Sequence, residues 1–389
     1  MTFLQWIQLI FWSKYNMKSR WFIIILYFIL NIQNYILFSF GPINVKLFHI
    51  LTISLLVFLL PLFTYEKELT IPIAFFYIVA ISSLYNTILG LLNPLFINYI
   101  FAFLVFISSF TLGKYSNFNK LVKALPAISW LIMAIVILNT IYYLELIISY
   151  ISQPYGHPKI PTIYGGGTNL QGTFLALNGV FLRKHRSFLL YWFLSITISI
   201  MYSTRIGIIL NLFLLILNNY HDILRLRNIL IFTALAVIVI AATVKINPYA
   251  INRFYLIGSD TGSVTRLEMW KASSEIIIKK LPIIGYGAGN AITIIDNEKN
   301  IRFFEDNIHN YFLQVLVDFG FIGFLFWLII VKEIFILYFR YKGDNVFANY
   351  LVLFIIASFI QFRGAEPLFW FVFGLLLSYK HFYYATKCL

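Results

Sequence analysis

The sequence predicts an all-α, polytopic integral membrane protein, and three observations predict it. Of the 389 residues, 61% are apolar and only 11% charged, against roughly 45–50% and 25% in a soluble domain. Mean hydropathy is +0.84. Long apolar runs recur from end to end, and runs of that length satisfy their own backbone in lipid only as helices. The single cysteine, Cys388, lies at the end of the chain. It can form neither an internal disulfide nor a thiolate cluster, so stability must come from helix packing.

In chain order, Thr2 to Trp12 is apolar but too short to span, and Lys14, Lys18 and Arg20 follow it. It reads as an interfacial segment rather than a cleaved signal. Five spans follow, at Trp21 to Phe40, Leu47 to Phe63, Leu69 to Leu91, Leu95 to Leu112 and Leu121 to Leu144. The middle of the chain adds Thr168 to Leu182, Phe188 to Tyr202, Ile206 to Tyr220 and Ile229 to Val244. Tyr311 to Phe339, Phe347 to Phe362 and Leu368 to Tyr384 complete a set of about twelve. Residues 1–389 form a single membrane domain, with one long periplasmic loop at 247–308 between spans nine and ten. No fixed-period repeat appears, nor the inverted pair of broken helices that transporters use.

Charge orients the spans. Alternating sides collects Lys14, Lys18, Arg20, Lys67, Lys114, Lys120, Lys123, Arg183, Lys184, Arg186, Arg225, Arg227, Arg340, Lys342, Lys380 and Lys387 on one side. The short connections opposite hold only Lys46, Lys159, Arg205 and Arg363. By the positive-inside rule the first side, with both termini, is cytoplasmic. The long loop is balanced, cations such as Arg266 and Arg302 being matched by anions such as Asp296 and Glu305. The net charge of +14 is therefore mostly topogenic, and no nucleic-acid partner is expected.

Polar groups on the outer side are the candidates for function, because they are costly to desolvate and serve no topogenic purpose. The turn Tyr202-Ser203-Thr204-Arg205-Ile206-Gly207 pins Arg205 at the outer lip. Its guanidinium can hold a phosphate bidentately, or anchor the chain by snorkelling to headgroups. In the loop, Leu267, Trp270, Ile277 and Leu281 suit an amphipathic helix on the membrane, capped by Thr265 or Ser263 and ended by Pro282. Arg266 would then oppose the helix dipole in the first turn, which calls for a partner anion or for full solvation. The run Gly285, Gly287, Gly289 is misplaced for a dinucleotide loop and reads as a tight turn that lets backbone approach a ligand.

His309 stands where the loop enters the membrane, placed either as a general base or as a structural imidazole. Asp318, nine residues on, is expected to meet an internal cation or hydrogen-bond donor. The outward His49 and His157 lack a comparable setting. Arg363 adds to an anion site or pairs locally with Glu366. Asp296, Glu298, Glu305 and Asp306 do not match a calcium loop, and no metal and no cofactor is expected.

Three ordered pieces carry a resemblance: Ser203-Thr204-Arg205-Ile206-Gly207; Arg266-Leu267-Glu268-Met269-Trp270 leading to Pro282-Ile283-Ile284-Gly285-Tyr286-Gly287; and His309-Asn310-Tyr311-Phe312-Leu313-Gln314 leading to Gly320-Phe321-Ile322-Gly323. Together, over about residues 165–330, they resemble the O-antigen ligase and O-antigen polymerase superfamily. The resemblance implies a GT-C-like fold and metal-independent transfer of an undecaprenyl-diphosphate-linked glycan at the periplasmic face of the bacterial inner membrane. Arg205 and Arg266 would bind the diphosphate, His309 would take the acceptor proton, and Arg363, Asn310 and Asp318 would support them. The lipid bilayer and the lipid-linked glycan are the implied partners, with a membrane-bound chain-length regulator beside them. The short outer loop favours a polymerase over a ligase. A lipid-linked sugar transporter would place more charge inside the spans than Asp318 and the pair Lys332, Glu333.

Overall fold

A computed structural model describes residues 19–40, 43–90, 93–151, 159–164, 167–218, 261–300, 302–303, 305, 307–341, 343–361 and 365–387, with a few isolated positions between 234 and 259. Arg363, the N-terminal apolar segment and, apart from isolated positions, the expected span Ile229 to Val244 lie outside them. Within them the chain is almost entirely helical, as the composition predicts.

Helix α1 runs Ser19–Asn31 and stops well before Phe40, where the first span was expected to end. The cause is a polar junction. Asn34 donates from its side chain to Thr162 O at 2.7 Å and Gln33 to Glu366 Oε1 at 2.9 Å, contacts that a continuing helix would not present. The next residues form an antiparallel hairpin, β1 Ile36–Phe40 and β2 Ile43–Lys46, with Phe40 opposite Ile43 and an irregularity between Ile36 and Phe38. Then come α2 Leu47–Leu59, α3 Thr70–Ile88, α4 Leu95–Lys114, α5 Phe118–Tyr142 and α6 Leu144–Ile151. The central pieces are α7 Gly167–Gly179, α8 Phe188–Met201 and α9 Arg205–Asn218.

The expected long loop is substantially helical, holding α10 Thr261–Lys280 and α11 Ala291–Lys299. The chain closes with α12 Tyr311–Arg340, α13 Val346–Ser358 and α14 Pro367–Lys387. Among the described residues four stretches are long and apolar enough to cross a membrane: Lys67–Ile88, Leu95–Lys114, Phe118–Tyr142 and Tyr311–Arg340. Shorter apolar helices accompany them, including Leu47–Leu62, Phe188–Met201 and Val346–Ser358.

Packing follows the rules of helices without a water-driven core: small residues and buried amides set the contacts. Gly113 lies against Ser378, and Gly374 against Ser109, so two small-residue pairs spaced four apart let α4 and α14 cross closely. Asn178 donates to Asn31 Oδ1 at 2.7 Å and to Tyr164 Oη at 2.9 Å, and accepts the Tyr27 hydroxyl, joining α1 to α7. Large apolar side chains remain outward on the long helices, among them Tyr77, Leu84, Leu138 and Phe321. A face of that composition suits contact with lipid tails.

Candidate functional site

The hairpin lip between α8 and α9 is built from its own hydroxyls. Ser203 takes a positive φ of 55°, which turns the chain so that Thr204 N–H and Thr204 Oγ1 both reach Ser199 O, at 2.9 and 3.1 Å. Tyr202 anchors the turn from below, its hydroxyl accepting from Gln171 Nε2 at 2.8 Å and sharing a hydrogen bond of 2.6 Å with Thr140. Arg205 is thereby the first residue of α9, where the unpaired N–H groups of the helix start add to its own positive charge.

Opposite stands α10. It begins at Thr261, so Arg266 lies in the second turn. The expected cap at Ser263 or Thr265 is corrected, and with it the dipole argument for a partner anion, which belongs instead to Arg205. The buried stripe of α10 is Met269, Ala272, Ser273 and Ile276, while Leu267 and Leu281 are exposed. Ser263, Arg266, Leu267 and Trp270, spaced i, i+3, i+4, i+7, form the face that meets α9. Arg205 Nη1 donates to Ser263 Oγ at 3.4 Å.

Arg205 and Arg266 line one cavity of about 210 Å³ with Asn169, Ile206, Ile209, Trp270, Ile360 and Gln361. Both guanidinium-bearing residues are half-buried. Two cations on a largely apolar wall can hold an anion, because low-dielectric surroundings strengthen each charge-assisted hydrogen bond. The sequence reading gave Asn169 and Gln361 no site role, and it used Trp270 only as part of an amphipathic face. The i, i+3, i+4, i+7 spacing could have found Trp270, whereas Asn169 and Gln361 come from distant segments that only folding brings in.

His309 is not among the described residues lining that cavity, but it is tied to its wall. Trp270 Nε1 donates to Ile308 O at 2.9 Å, which places His309 one peptide beyond. The imidazole Nε2 lies 3.1 Å from Glu305 Oε2, and Nδ1 is buried with no hydrogen-bond partner among the described residues. His309 adopts a positive φ of 56° and donates its N–H to Asn307 Oδ1 at 2.9 Å. It therefore precedes α12 instead of riding on it. Asn310 caps α12, accepting Leu313 N–H at 3.1 Å.

Asp318 is fully buried and meets donors, as expected. It accepts from Gly289 N at 2.9 Å, Ala291 N at 3.0 Å and Gln314 Nε2 at 2.9 Å. Gln314 in turn accepts Ile308 N–H at 2.9 Å. The carboxylate thus ties the glycine loop to the peptide preceding His309.

The glycine loop packs against the protein's own backbone. Gly320 breaks α12 with φ 67°, ψ −169°, and the loop fills the break. Tyr286 N donates to Val317 O at 3.1 Å, Gly287 N to Asp318 O at 2.7 Å, and Phe321 N to Pro282 O at 2.9 Å. Glu366 takes Gln33 as partner.

No curated protein matches the chain. Residues 172–328 match the family described as O-antigen ligase, whose members are glycosyltransferase-like enzymes. That span runs from α7 to α12 and contains both arginines, the glycine loop, His309 and Asp318. Over that span this membrane protein is similar to the O-antigen ligase family.

Proposed function

We propose that this protein is a surface-polysaccharide polymerase that transfers a glycan from undecaprenyl diphosphate onto a lipid-linked repeat unit at the periplasmic face of the inner membrane. The observation that carries the reading is the pairing of Arg205 and Arg266 on one cavity wall. The acceptor hydroxyl oxygen attacks the anomeric carbon of the donor glycan, and the bond from that carbon to the diphosphate oxygen breaks. Fixed guanidinium groups hold the charge that develops on the leaving diphosphate. His309 takes the acceptor proton, with Glu305 orienting its ring from 3.1 Å. The energy is stored in the lipid diphosphate, and no metal or cofactor has a role.

The test is the surface glycan ladder of a deletion strain complemented with wild type, Arg205→Ala, Arg266→Ala or His309→Ala at matched protein levels. Deletion should leave core bearing one repeat unit, and none of the three variants should restore the ladder. Each should lower the transfer rate by about 10²–10⁴-fold. Loss of every rung, with polymer stranded on its lipid carrier, would identify a ligase, the activity that the family's description names. A normal ladder from all three variants would overturn the site and favour lipid-linked sugar transport.

A further inference from the structure

The arginine cavity adjoins others. Gln361 also lines a cavity of about 230 Å³ with Gln33, Tyr164 and Glu366. That cavity shares Asn44, Lys46, Leu95 and Asn98 with a third, of about 470 Å³. The third lies within the roughly 300–1,000 Å³ range of small-molecule sites. It sits between the β1–β2 hairpin, the start of α4 and the segment after α11, and its wall includes His49, Asn93, Asp296, Arg302 and Glu305.

His49 is the residue the sequence gives no reason to choose. It is 3% exposed, and Phe101 stacks on its ring at 3.9 Å. Its Nδ1 accepts Lys46 N–H at 3.2 Å, so in the neutral ring the hydrogen sits on Nε2. That nitrogen is buried and has no hydrogen-bond partner among the described residues. A buried donor left unpaired is costly, and the ring that carries it is part of this polar cavity's wall.

The surrounding chemistry says what fills it. Lys46 and Arg302 are matched by Asp296 and Glu305, so the wall has no net charge and differs in kind from the doubly cationic arginine cavity. Planar amides from Asn44, Asn93 and Asn98 stand among those charges. Asp296 spends one oxygen on Phe303 N–H at 3.0 Å. Dense alternation of donors and acceptors without charge excess suits the hydroxyls of an uncharged sugar, whereas a phosphate would call for cations. Glu305 belongs both to this wall and to the hydrogen bond with His309.

We propose that this cavity is the acceptor-glycan subsite, in which His49 Nε2–H donates to a sugar oxygen and the bound sugar presents its hydroxyl toward His309. The inference rests on the glycosyl-transfer reading. The probe is the free repeat-unit oligosaccharide, released by mild acid from the lipid-linked pool of the deletion strain. It is titrated into the full-length protein in lipid nanodiscs and followed by saturation-transfer NMR. Wild type should bind, and Arg205→Ala should bind equally. His49→Phe keeps the stacked ring, and Asn98→Leu lies on the exposed rim; each should weaken binding by about tenfold, the effect of one lost hydrogen bond. If His49→Phe lowers the yield of folded protein, Asn98→Leu decides alone. Unchanged binding in Asn98→Leu and His49→Phe, or equal loss in Arg205→Ala, overturns the subsite. A normal glycan ladder from Arg205→Ala with binding still dependent on His49 and Asn98 would sink the diphosphate reading and leave the sugar site standing.

Discussion

Gly285 and Gly320 meet backbone to backbone: a Cβ added to Gly320 would fall 2.6 Å from Gly285 N. Both have positive φ, 80° and 67°, so neither position accepts a side chain without strain. The contact closes the break in α12 and sets the loop that carries Gly289 and Ala291 to Asp318. Gly320→Ala should destabilise the protein by about 2–4 kcal/mol, from strain plus displacement of the loop. Thermal unfolding of the purified protein in detergent checks it, with Gly90→Ala as a comparison that shares the positive φ (84°) but has open space around it and so should cost less.

The arginine pair predicts a failed exchange. Lysine keeps the charge of Arg205 and Arg266 but loses the planar fork that grips two phosphate oxygens. Arg205→Lys and Arg266→Lys should each retain wild-type thermal stability and lower the transfer rate by about tenfold or more. Full restoration of the glycan ladder by both lysine variants would show that point charges suffice.

Asp318 should matter through position. Replacing it with alanine strands the buried N–H groups of Gly289 and Ala291 and the Gln314 amide, costing about 2–4 kcal/mol. Asp318→Asn keeps one acceptor and should lose less. A Gln314→Leu variant, which leaves Ile308 N–H without its acceptor, should lower activity with a smaller loss of stability. Equal activity in Gln314→Leu and wild type would remove the link from Asp318 to His309.

Beyond the site, Glu66 binds the Lys114 ammonium. Burial pushes its carboxyl up, but the hydrogen bond and charge of Lys114, followed by the nearby His381 and the Thr64 hydrogen bond, outweigh burial and hold it below its ordinary value of 4.5. A depressed carboxylate stabilises the fold fully above that ordinary value, and the contribution fades as pH falls below about 4.5 toward the folded value. Melting of wild type should therefore drop between pH 5 and about 3 more than melting of Glu66→Gln. Parallel curves would show the pair to be energetically silent.

Much of this architecture was legible in composition and periodicity, because lipid forces buried backbone into helices and positive charge marks one side. The spans expected from hydropathy at Leu95 to Leu112 and Phe188 to Tyr202 end close to where the helices Leu95–Lys114 and Phe188–Met201 do. Where amides took distant partners, as at Gln33 and Asn34, the apolar run continued but the helix did not. In the loop at 247–308 the apolar spacing of Leu267, Trp270 and Ile277 already called for a helix, and the structure has one at Thr261–Lys280, starting before the expected caps.

The three ordered pieces around Arg205, Arg266 and His309 were determined by sequence, since each is a local stretch whose residue types bear their own chemistry. Tertiary structure alone decided that the two arginines share a cavity, that Trp270 holds the peptide before His309, and that the glycine loop serves the break at Gly320. It also supplied His49 with a setting. Those relations join segments tens to hundreds of residues apart, and the energies that select them, backbone hydrogen bonds across a helix break and desolvation of paired polar groups, leave no periodic trace along the chain.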